Sequence, residues 1–84
     1  MKTDEKDKIL QQLIEEISII TGKSPDEINP AGNLRSNGID SMGFLEVSIF
    51  IKREWQIDFL NDSSMYMSIN DLNALAEEIR KRCK

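Results

Sequence analysis

Eighty-four residues, 39% of them hydrophobic, with four Gly and two Pro, describe one small folded domain over residues 1–84 rather than a disordered or low-complexity chain. At that size a single core gives modest stability and leaves little room for a deep active site. Fifteen acidic against eleven basic side chains set a formal charge of −4, which disfavours nucleic acid and anionic membrane as partners and favours basic protein surfaces.

Ile9, Leu10, Leu13, Ile14, Ile17 and Ile20 recur at the i, i+3, i+4, i+7 spacing of a first helix, with Thr3 as its N-cap and Gly22 at its end. The stretch before it, Met1-Lys2-Thr3-Asp4-Glu5-Lys6-Asp7, is mixed in charge, and no run has the length and apolarity of a signal peptide or membrane span, so a cytoplasmic protein is expected. From Lys23 to Asp40 the apolar period vanishes. Ser24-Pro25-Asp26 and Asn29-Pro30 read as turns, and Pro25 to Ile28 as one helical turn. A connection this long in a small domain points to function, and it delivers the chain to Ser41.

A second helix is expected from Ser41 to Trp55. Phe44, Val47, Ser48, Ile51 and Trp55 form its core stripe, with Ser48 the imperfection. Met42, Leu45 and Ile49 form a second stripe more than about 90° away, beside Glu46 and Arg53. A small bundle cannot bury both stripes, so the second is read as a protein contact surface. After Ile57-Asp58-Phe59-Leu60, the segment Asn61-Asp62-Ser63-Ser64 reads as a loop or short helical turn. Ser68-x-x-Asp71 then resembles a capping box that opens a last helix. Ile69, Leu72, Leu75, Ala76 and Ile79 are its buried stripe, and Arg80, Lys81 and Lys84 suit its C-terminal end. No run alternates with period two. The expected fold is all-α, a small four-helix bundle of three longer helices and one short helix.

The chain has no histidine, which removes the commonest general base, the Ser-His arrangement and the His-bearing zinc sites together. A serine hydrolase would need a base that this chain cannot offer from histidine, and no catalytic or metal-ligating residue is assigned. Cys83 is the lone cysteine, a tail thiol with no disulfide framework. Glu15-Glu16 and Glu77-Glu78 read as solvated polar faces of their helices.

What remains is Asn37-Gly38-Ile39-Asp40-Ser41-Met42, a glycine-led turn presenting one hydroxyl at a helix N-terminus, where unpaired N–H groups and the helix dipole favour a phosphate. A serine in that place also makes a common N-cap, and capping by itself would account for it. Gly38-Ile39-Asp40-Ser41-Met42 resembles the signature of the acyl carrier and peptidyl carrier protein family, Gly-x-Asp-Ser-Leu or Gly-x-Asp-Ser-Met at the opening of the second helix. The similarity extends over essentially the whole chain in length, acidity and helix order. It implies an acyl-carrier-like bundle in which Ser41 carries 4′-phosphopantetheine taken from coenzyme A by a phosphopantetheinyl transferase. By the same resemblance Asp40 assists that modification by helping to hold magnesium and coenzyme, and Gly38 permits a close backbone approach. The chain itself would be no enzyme but a stand-alone, monomeric carrier. An acyl- or aminoacyl-activating ligase would load it, and a downstream transferase or synthase would accept the thioester. Met42, Leu45, Glu46 and Ile49 are its expected partner surface.

Fatty-acid members of that family carry acidic residues where this chain has Gly43, Lys52 and Arg53, and only Glu46 and Glu54 remain from that pattern. Like charge at Lys52 and Arg53 would repel the basic patch of fatty-acid enzymes. Asp40-Ser41-Met42-Gly43 is instead similar to the tetrapeptide of D-alanyl carrier proteins, and an aminoacyl or specialised pathway is expected. Fatty-acid or polyketide synthesis is the alternative. A small helical adaptor, with Ser41 serving only as a cap, is the alternative of another class.

Overall fold

The computed structural model describes residues 2–61 and 70–82. Among them are three α-helices, α1 (Lys2–Thr21), α2 (Ser41–Trp55) and α3 (Leu72–Arg82), with single 3-10 turns at Pro25–Glu27 and Phe59–Asn61 and no strand. No helix among the described residues is long and apolar enough to cross a membrane. The Cα radius of gyration, 11.6 Å, is close to the roughly 12 Å expected of a compact chain of this length.

Helix α1 buries Ile9, Leu13 and Ile17 against α3 and α2, with Leu10, Ile14 and Ile20 packed at the margin of the core. It begins near Thr3, as its spacing predicts, but one residue earlier, at Lys2, so that Thr3 lies within the helix and not at the N-cap position. The Lys and Glu residues around it are good helix formers, with no Gly or Pro to stop propagation. The C-terminal end falls where expected, with Gly22 following Thr21.

The connection from 22 to 40 is more ordered than its lost periodicity suggests. Ile28 and Ile39 are buried in the core and Leu34 packs against it. Ser24 donates to the Glu27 carboxylate through its N–H (3.4 Å) and hydroxyl (3.1 Å), closing the 3-10 turn. The loop also completes α3. The Leu72 N–H reaches the carbonyls of Pro30 and Gly32, both at 3.1 Å, and the Asn73 N–H and side-chain amide reach Pro30 at 3.3 and 3.2 Å. Loop carbonyls thus satisfy N–H groups that a helix start would otherwise leave orphaned.

Asp71 Oδ1 accepts the Ala74 N–H at 2.7 Å, so Asp71 is the cap of α3 and not the third helical residue of a box begun at Ser68. Of the Asn61-Asp62-Ser63-Ser64 stretch read as a loop or short helical turn, Asn61 ends the second 3-10 turn, while Asp62 to Ser64 lie outside the described residues, as do Ser68, Ile69, Cys83 and Lys84. Leu72, Leu75, Ala76 and Ile79 are all buried, as their spacing requires. Glu77 and Glu78 are not simply solvated: Glu77 pairs with Arg80, and Glu78 pairs with Lys81 and Arg82.

Helix α2 spans the expected residues and buries Val47, Ser48 and Ile51. The Ser48 hydroxyl donates to the Phe44 carbonyl at 2.8 Å, so its burial leaves no unpaired group. Phe44 and Trp55 are half-buried, and Phe50, outside the expected stripe, is buried with them. Trp55 meets Phe50 edge-on with centroids 5.5 Å apart, while Phe44 packs on Phe59 at 5.4 Å.

Candidate functional site

The turn before α2 is built on a buried amide. The Asn37 side chain accepts the Asn29 N–H at 2.7 Å and donates to the carbonyls of Asn29 (3.0 Å) and Asn33 (2.9 Å), so its full burial is compensated. It pins the two ends of the 29–37 segment together. Gly38 follows with φ +97°, a conformation that favours glycine, and a Cβ there would lie 3.3 Å from Lys23 Nζ. Ile39 then turns into the core, which fixes the direction in which the next two residues leave.

Those residues divide two jobs. Asp40 is the N-cap, with extended backbone and Oδ1 accepting the Gly43 N–H at 2.8 Å. Ser41 is the first residue of α2. It is exposed, and its hydroxyl makes no hydrogen bond among the described residues. Ser41 is therefore not a helix cap; a carboxylate already holds that place. Arg35, Gly38, Ile39, Asp40, Ser41 and Phe44 line an open cleft around the hydroxyl. No group of three or more His, Cys, Asp or Glu side chains among the described residues could hold a metal ion.

The second stripe of α2 is exposed: Met42 by 70%, Ile49 by 59% and Leu45 by 43%, with Glu46 exposed beside them. Sequence periodicity missed its extension onto α1. Ile19, exposed by 76%, lines a groove with Ile20, Glu16, Glu46, Ile49, Phe50 and Arg53. Its only sequence signal was an apolar residue beyond the buried stripe of α1, visible as a surface only once the two helices are set side by side.

Gly43 has a different meaning from the one its spacing suggested. It is buried, and a Cβ there would sit 3.2 Å from the Ile39 side chain and 3.3 Å from that of Ile20. That position faces α1 and not a partner. Lys52 and Arg53 are exposed, with Arg53 Nε 3.8 Å from Glu54 and its guanidinium 5.9 Å from the Phe50 ring centroid. Sequence reasoning also gave no role to Asn37 or Arg35. A buried asparagine and a cleft-lining arginine leave no periodic trace.

No family model matches this chain, and no curated protein or solved structure matches it.

Proposed function

We propose that the chain is a carrier protein that bears 4′-phosphopantetheine on Ser41 and moves an acyl or aminoacyl group, as a thioester, between partner enzymes. The observation that carries this reading is the arrangement at the start of α2. Asp40 takes the cap, which leaves the Ser41 hydroxyl exposed and, among the described residues, unbonded on a turn of fixed shape. A serine selected as a cap would have its oxygen on the helix N–H groups. The motif resemblance and the helix order support the same reading, as does the exposed Met42, Leu45, Ile49 stripe.

The attached group would supply a flexible tether ending in a thiol. For its attachment, a transferase brings coenzyme A; Ser41 Oγ bonds to the phosphorus borne by pantetheine as the bond from that phosphorus to the nucleotide breaks. The nucleotide bisphosphate leaves, and the serine proton passes to a base on the transferase. Exposed Asp40 is open to a magnesium ion held there. The protein contributes position and recognition, while the chemistry belongs to its partners. The mixed charge of Glu46, Lys52, Arg53 and Glu54 favours an aminoacyl or specialised ligase over fatty-acid enzymes. A complete four-helix bundle, a cytoplasmic place and a monomeric state belong to the same reading.

Coexpression with a promiscuous phosphopantetheinyl transferase, followed by intact-mass analysis, tests it. One phosphopantetheine should be added, and the Ser41→Ala protein should gain nothing. An unmodified wild-type chain would leave the adaptor reading, with the α2 stripe as a docking face.

A further inference from the structure

We propose that Arg35 is the phosphate-positioning residue of this site: its guanidinium pairs with the phosphodiester carried on Ser41 and holds the arm over the cleft beside Phe44. The inference rests on the carrier reading above, and it follows from charge. A phosphodiester on Ser41 brings a negative charge next to the Asp40 carboxylate. Asp40 cannot move away without uncapping α2, because its Oδ1 is bound to the Gly43 N–H. Modification therefore sets two anions on consecutive residues of one turn.

Among the described residues, Arg35 is the one cationic side chain that lines the cleft. Its backbone is fixed, since its carbonyl accepts the Gly38 N–H at 3.0 Å and the flanking Leu34 carbonyl accepts the Ile39 N–H at 3.0 Å. Its guanidinium has no hydrogen bond or ion pair among the described residues. Lys23, another cation near the turn, is already committed: its Nζ donates to the Asn37 carbonyl at 3.4 Å. A planar guanidinium can meet two phosphate oxygens at once, which a lysine cannot do. Because the pair is exposed it is salt-sensitive, so it biases the arm toward the cleft without locking it there.

The test uses full-length holo-protein and the phosphorus resonance of its phosphodiester, with intact mass confirming the arm. In the wild type the resonance should shift between about 20 mM and about 500 mM salt, as screening opens the pair. In Arg35→Ala and Arg35→Glu that salt-dependent shift should be lost, while Arg35→Lys should keep part of it. Circular dichroism melts should be unchanged, because Arg35 is exposed. A wild-type resonance insensitive to salt, or an Arg35→Ala protein that titrates like the wild type, overturns the inference and leaves the carrier reading intact. A wild-type chain that gains no mass overturns both.

Discussion

At the scale of single residues, the two neighbours Asp40 and Ser41 are held by different forces. Asp40 stabilises the fold through one charge-assisted hydrogen bond to the Gly43 N–H, whereas Ser41 contributes no bond among the described residues. Asp40→Ala should therefore cost about 1 kcal/mol in urea denaturation, a usual value for a lost cap. Ser41→Ala should stay within about 0.5 kcal/mol of the wild type, as surface substitutions do. Equal losses for the two variants would mean that Ser41 shares the cap. Asn37 stands apart from both, since its three hydrogen bonds set the turn that aims them.

Helix α2 works as an element with two apolar faces and one close contact. Val47 and Ile51 face the core and Met42, Leu45 and Ile49 face outward, while Gly43 lets the first turn approach Ile20 of α1. Gly43→Glu, which restores the acidic residue typical of fatty-acid carriers, forces a charged side chain into the Ile20–Ile39 contact. It should lower stability by about 1 kcal/mol, read from the urea midpoint, since crowding of the Ile20 and Ile39 methyls outweighs the better helix propensity of Glu. A neutral result would place position 43 on the surface after all. The other end of α2 carries strain of its own: Gln56 is the C-cap with φ +56°. Its side-chain amide donates to the Arg53 carbonyl at 3.1 Å, an exposed bond of small value. Gln56→Gly should raise stability by several tenths of a kcal/mol, up to about 1, because glycine adopts this backbone without a Cβ clash.

For the whole molecule, charge sets the response to pH. Glu77 is held below its ordinary value of 4.5, first by the hydrogen bond from Arg80, against an opposing desolvation, and then by the charges of Arg80, Lys6 and Lys81. A carboxyl lowered on folding adds stability that is present above its unfolded pKa and is lost as pH falls through the folded one. The chain has no histidine, so no side chain with an ordinary pKa changes charge between about pH 5 and 8. Stability should be flat across that window and fall below about pH 4.5, and Glu77→Gln should weaken the acid fall. A wild-type midpoint that moves between pH 5 and 8 would contradict this account.

The helical periods of α1, α2 and α3 were legible in the chain itself, because a 3.6-residue repeat of apolar side chains admits one buried face whatever packs on it. The Gly38 to Met42 motif and the exposure of Met42, Leu45 and Ile49 were legible for the same local reason. Tertiary structure alone decided that Asp40 and not Ser41 caps α2, that Gly43 faces α1, and that Ile19 joins Ile49 in one groove. It also decided that loop carbonyls at Pro30 and Gly32 complete α3. These features depend on where separate segments meet in space, and a local repeat carries no information about its neighbours.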